Sequence, residues 1–550
     1  MYFGWRVFWF LTDDAYISFR YVSNSILGYG YVWNPPPFRP VEGYSNFLWV
    51  VLLDIIWRIF DIAPPESSNY LSLFFSFGTL ALGAVIFLRI RWNPNIRGHL
   101  ILMLSLVFLG VLSNRTFLAW TSSGLETSML NFFITLWFYC CIFIRQSSKR
   151  WLFSVSTLAS LIYLTRPDGL LFAAATAAMM CIAFLRKHQI FGIKRLLTAS
   201  SLLLVVIHLL WRKSFYGEWL PNTYYVKYSG IWPESGIRYL LSFILEYSLW
   251  VWLGLLCFVL IRKFPAFVKT VSEILRFSSS ETIENNKFPE HRRDPLIILC
   301  VLSTLAVHIF YYTFIIGGDH FEYRVYSYLI LLIFISFVWL LSMADFKGDT
   351  SIILLSVFIF LSWPVPWTHW ALTHRIGTRG ETQEMRVGIS GHWPKSVRWY
   401  AKIFDDLQFW LIEHYVCMRH QEHKVCHLWQ IDRFPSRSQG MSLPSDNYPV
   451  SMQFGVGVSG WVLPRINIID IGGLNDYVTA RNPCEPERVR KMAHDKRPPE
   501  GYVECFVPNV RLSGRQRIEF GKRDKPLTSE DIIESEKKWS EKIKKAKGPL

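Results

Sequence analysis

Long apolar runs, each closed by a short polar or basic stretch, recur along the chain. They lie at 47–60, 71–90, 100–112, 125–144, 151–164, 169–185, 196–211, 239–261, 295–316, 326–341 and 351–363. Such runs with few charges mark membrane helices, and with the apolar start they predict about ten to twelve crossings, several of them short. No fixed-period repeat is visible, so an inverted-repeat transporter gains no support. The stretch 12–49 has a different pattern. The opening run 1–11 is too short for a full span and lacks a cleavage pattern, so it reads as a retained anchor. Asp13 and Asp14 follow it directly. Tyr16, Phe19, Val22, Ile26 and Leu27 then recur at helical spacing with Arg20 and Asn24 between them. This predicts an amphipathic helix lying along the membrane interface. Asn34-Pro35-Pro36-Pro37 stops any helix, and Glu42, Tyr44, Ser45 and Asn46 bring polar groups back to the surface. The tail has no long apolar run. Short strands are expected within 451–470 and a charged helix within 529–547. The expected fold is mainly α: a polytopic helical membrane part, 1–363, followed by a mixed α/β extracytoplasmic domain, 364–550.

Composition supports the membrane class. Over 550 residues the chain is 51% hydrophobic with a mean hydropathy of +0.23, too apolar to hide in one soluble fold. The 24 Trp and 25 Tyr suit aromatic belts at two interfaces. The net charge of +16 sits largely in short loops, where it sets topology and meets lipid head groups, so no nucleic-acid partner is expected. Basic clusters at 89–97, 145–150, 186–195 and 262–293 predict cytoplasmic loops. The loops 113–124, 166–168, 213–238 and 317–324 and the tail then face outward.

Candidate chemistry gathers in the outward loops. Asp13 and Asp14 are carboxylates at a membrane–water boundary, where ionisable residues are costly unless they act; one can remove a proton from a sugar hydroxyl, although a capping role suits them too. The loop Gly317-Gly318-Asp319-His320-Phe321-Glu322-Tyr323-Arg324 offers Arg324 and His320 to a phosphate, with Asp319 or Glu322 to orient them. Asp319, His320 and Glu322 also have a spacing a divalent metal accepts, but no ligand set is assigned. Arg166 and Asp168 break an apolar stretch and read either as a site or as a structural ion pair. The loop 216–227 carries aromatics that stack on sugar or anchor at the interface, Asn222, and Lys227 as a phosphate contact. In the tail, Cys417 and Cys426 flank His420 and His423, with His427 one further on. Disulfides Cys417–Cys426 and Cys484–Cys505 are expected over zinc in an outward-facing domain.

Several of these segments together resemble a known family. They are 13–21, 41–49, 166–169, 221–227 and 317–324, with Gly472-Gly473-Leu474-Asn475-Asp476, Ala480-Arg481 and 491–502 in the tail. The chain resembles the mycobacterial terminal β-(1→2)-arabinofuranosyltransferase family, which has the C-type membrane glycosyltransferase fold. The resemblance implies an inverting transfer of a sugar such as arabinofuranose from a polyprenyl-phosphate donor to a cell-envelope glycan or glycolipid, at the periplasmic face of a bacterial inner membrane. It implies Asp13 or Asp14 as general base and no resident cofactor beyond the lipid-linked co-substrate. Arg20, Lys227, His320 and Arg324 are the expected phosphate contacts. Glu42, Tyr44, Asn46, Asp168, Asn222, Asp319, Glu322, Asn475, Asp476, Arg481 and His494 are the expected sugar or acceptor contacts. A lipid-linked saccharide flippase is the alternative; the acidic pair at the interface rather than mid-membrane argues against it.

Overall fold

The computed structural model describes the chain apart from residues 147, 188–196, 229, 277–293, 384–386, 389–390, 485–488 and 548–550. Five of its helices are long and apolar enough to cross a membrane: Pro64–Arg89, Pro167–Leu185, Leu197–Tyr216, Pro295–Ile316 and Gly348–Thr373. Pro233–Glu246 and Leu249–Phe264, bent by 91°, make up to six if the pair is one span. The chain is thus a helical membrane protein, with fewer full-length spans among the described residues than the ten to twelve expected. The difference is one of length. Leu100–Leu112, Thr127–Phe143 and Leu329–Met343 are apolar but short. At 1.5 Å per residue such helices cover roughly 20–25 Å of a ~30 Å hydrocarbon core. Asn114 shows how one of them is cut off: its side chain accepts from the Phe117 amide and starts a new helix, Arg115–Ala119. The last span runs through Pro364 to Thr373, so the tail begins later than 363. The predicted basic loops 186–195 and 262–293 lie largely outside the described residues.

The helix expected after the acidic pair is Asp13–Ile26. Thr12 caps it by accepting from the Ala15 amide at 3.1 Å, and two acids in the first turn suit the positive end of the helix dipole. It does not float on an interface. Every residue from Ala15 to Asn24 is buried, because the membrane helices cover one side and the tail covers the other. Tyr16, Phe19 and Trp33 share one apolar cluster with Val456, Trp461, Leu463 and Ile468.

The tail is mixed α/β. Parallel strands Val450–Gln453 and Asn467–Asp470 pair with Val450 opposite Asn467; antiparallel strands Val510–Leu512 and Ile518–Phe520 form a second pair. Helices Lys395–Glu413, His420–Arg433, Gly457–Val462, Tyr477–Arg481 and Ser529–Lys547 surround them. The expected disulfides are absent: all nine cysteines are free thiols. Cys417 is buried beside Gln408, 3.8 Å from its Nε2, instead of facing Cys426 on the next helix.

Candidate functional site

The two adjacent aspartates have separate fates. Asp13 turns into the tail, where its two carboxylate oxygens accept from the Gly457 amide at 3.1 Å and the Val458 amide at 2.8 Å. Burial outweighs these bonds and raises its pKa to about 6. Asp14, one residue on, is half-buried and has no hydrogen bond or ion pair among the described residues. It lies within electrostatic reach of Lys227, His423 and His494.

The loop after Pro295–Ile316 turns on two glycines with positive φ, Gly317 at +92° and Gly318 at +100°. A Cβ on Gly318 would stand 2.9 Å from the Tyr239 ring, so the tight return needs glycine twice over. The loop then pairs with the tail like a strand: Met418 donates to the His320 carbonyl at 2.8 Å and Glu322 donates back to the Met418 carbonyl at 3.1 Å. Arg324 is held by Asp319 at 2.9 and 3.4 Å, leaving its Nη1 without a bond among the described residues. Lys227, on the short helix Asn222–Lys227, makes no ion pair there either. Burial, then Arg324, pushes its pKa down. Burial alone would raise Asp319, but Arg324, Lys227 and Arg166 bring it below the usual carboxylate range.

Three imidazoles complete the centre. His320 lies 5.3 Å from His423 and 5.0 Å from His494, centroid to centroid. His320 and His494 donate from Nδ1 to the carbonyls of Tyr415 and Met492, each at 2.7 Å. Burial and neighbouring charges lower all three pKa values to about 3. No three His, Cys, Asp or Glu among the described residues are placed to hold a metal ion. His423 escaped the sequence reading because it was weighed with its chain neighbours Cys417 and Cys426. Its position on helix His420–Arg433, four residues from His427, gives no hint of His320.

Other expected contacts are held in structural bonds. Arg20 uses all five donors, on the carbonyls of Trp33, Gly460, Leu463 and Ile466 and on Asn34, at 2.7–3.3 Å, so it staples the tail and has none left for a phosphate. Glu42 is closed in a bidentate pair with Arg212 at 2.5 and 3.1 Å, and Tyr44 meets Tyr216 hydroxyl to hydroxyl at 3.2 Å. Asn46 bridges Ser18 to Glu126 at 3.0 Å on each side. Asp168 accepts from Arg166, Tyr312 and His308, the ion pair at a helix break. Glu322 is fully buried with Arg115 and Arg419. Asn222 donates to the Gly473, Leu474 and Asp476 carbonyls and accepts from Arg481 at 2.7 Å. Asn475 accepts from Tyr21 and bonds Asp470, while Asp476 caps helix Tyr477–Arg481.

No family model, curated protein or solved structure matches the chain. What the centre brings together is a carboxylate and two cations with donors that have no bond among the described residues, with three imidazoles beside them. Two shallow, open pockets lie elsewhere, along the segment 33–42 and helix Tyr477–Arg481. Neither is lined by Asp13 or Asp14.

Proposed function

We propose that this membrane protein is a glycosyltransferase moving a sugar, with arabinofuranose the first candidate, from a polyprenyl-phosphate carrier to an envelope glycan or glycolipid. The observation that carries the reading is Asp14, a carboxylate with no hydrogen bond or ion pair among the described residues and within electrostatic reach of Lys227 beside Arg324. In this reading Asp14 takes the proton of the acceptor hydroxyl as its oxygen attacks the anomeric carbon. The bond from that carbon to the phosphate oxygen breaks, and the sugar is inverted. The polyprenyl phosphate leaves as an anion, so it needs positive charge rather than a proton; Lys227 and the free edge of Arg324 supply it. Asp13 does not share the role of base, because its oxygens are committed to Gly457 and Val458. The basic loops support placing the reaction at the outer face of an inner membrane.

The test is transfer by the full chain in lipid nanodiscs, with radiolabelled polyprenyl-phosphate arabinofuranose and an arabinan oligosaccharide. Asp14→Asn is expected to abolish product, a loss of at least a hundredfold, while the thermal midpoint is unchanged. Full transfer by that variant overturns the reading. Donor movement between leaflets with no new glycosidic bond favours the flippase.

A further inference from the structure

The centre is chemically divided, and its imidazoles do not suit the anion. A carbonyl oxygen carries no proton, so the 2.7 Å bonds to Tyr415 and Met492 put hydrogen on Nδ1 of His320 and His494. Their Nε2 atoms are then lone pairs, with no partner among the described residues. His423 is 7% exposed; its Nδ1 lies 3.6 Å from the Glu422 carboxylate, which favours hydrogen on that nitrogen, and its buried Nε2 has no hydrogen bond among the described residues. A buried acceptor with no partner is unfavourable unless a ligand meets it. The rings pack against Phe321, Tyr415 and Phe454 at 4.5–5.8 Å, surroundings that disfavour the charged form. A lone pair repels a phosphate oxygen and accepts an O–H. Of these rings exposed Phe454 and half-buried Tyr415 offer a face to sugar C–H groups, while Phe321 is buried. The three nitrogens do not converge on one metal position.

We propose that His320, His423 and His494 form the acceptor subsite, receiving the hydroxyls of a neutral glycan next to Asp14, while Lys227 and Arg324 hold the donor phosphate. This rests on the glycosyltransferase reading for the transfer step, but binding of the glycan does not need that step. It reassigns His320 from the phosphate to the acceptor.

The experiment uses the full chain in nanodiscs and an arabinofuranose hexasaccharide as probe. His423→Leu and His494→Leu should each raise KM for the hexasaccharide about tenfold, with donor KM and thermal midpoint unmoved. His494→Gln, which keeps an acceptor oxygen, should recover part of the loss. Asp14→Asn should still bind the hexasaccharide by calorimetry, and Asp14→Asn with His494→Leu should bind it about tenfold more weakly. A rise in donor KM alone, competition by inorganic phosphate that the histidine variants abolish, or no binding to Asp14→Asn overturns the inference. If wild type never transfers yet binds the hexasaccharide through these imidazoles, the transfer reading falls and the subsite stands. If transfer depends on Asp14 but the histidine variants keep acceptor KM, the subsite falls and the transfer reading stands.

Discussion

Asp13 and Asp14 are the same residue type one position apart, and their difference comes from what each side chain meets. Asp13 is a tether whose partners lie 444 and 445 residues away. Asp13→Ala leaves two amides unpaired and should lower stability by about 1–3 kcal/mol, read as a lower melting point and faster proteolysis of the tail. Asp14→Asn should leave both unchanged, so the pair separates tether from base. The imidazoles make a second residue-scale prediction. With pKa values near 3 in the fold against an ordinary 6.5, each binds a proton in the unfolded chain before it does in the folded one. Their stabilisation is complete above pH 6.5 and is lost as pH falls toward 3. His494→Gln should flatten that acid limb by the slope of one proton, measured by chemical denaturation at pH 7 and pH 5 against wild type. Asp13 works with the opposite sign. Its raised pKa makes its contribution complete below 3.8 and lost as pH rises through about 6.

At the scale of elements, helix Asp13–Ile26 is the axle between the two parts. Arg20 ties its middle to the tail through three backbone carbonyls, those of Gly460, Leu463 and Ile466, and Asp13 ties its start. The close approach depends on Gly457, where a Cβ would stand 1.7 Å from the Asp13 carbonyl oxygen. Gly457→Ala must push helix Gly457–Val462 away from Asp13. It should cost about 1–3 kcal/mol and reduce transfer without touching Asp14; a melting curve and a kcat measurement check both. Thr12 takes the capping role that the sequence suited to Asp13 and Asp14, which fill the first turn instead. The helix itself was legible from its apolar period. Its burial was not. Tyr16, Phe19 and Val22 read as one apolar face, and the polar face with Arg20 and Asn24 looked solvated. In the fold that polar face is covered by carbonyls from the tail and from Val32 and Trp33.

For the whole molecule, membrane part and tail share their interior. Fully buried Arg115, Glu322, Arg419 and Glu246 form a four-member ionic network whose members come from both parts, and Arg419 meets Glu246 with two bonds of 2.8 Å. Removing one member would strand a buried charge. The tail also lacks a complete core of its own, since Val456, Trp461 and Ile468 pack on Tyr16 and Phe19. A fragment of residues 374–550 is therefore expected to stay unfolded, with poorly dispersed amide resonances and rapid hydrogen exchange.

The sequence by itself determined what depends on near neighbours: the membrane class from apolar runs, the helix after the acidic pair and the turn at Gly317-Gly318. That helix ends at Ile26, before Gly28 with its positive φ, and not at Asn34-Pro35. The sequence also pointed to Asp14, Lys227, His320, Arg324 and His494 as polar groups worth attention. Only the tertiary structure decided which of these stay free. Arg20, Glu42, Asn222 and Asn475 have equally polar side chains, but their donors and acceptors are saturated by partners far along the chain. Likewise His423 joins His320 because the strand-like pairing of 320–322 with 418 sets helix His420–Arg433 against that loop. Hydrophobic period and turn chemistry act over a few residues, whereas hydrogen-bond saturation is set by contacts across the whole fold.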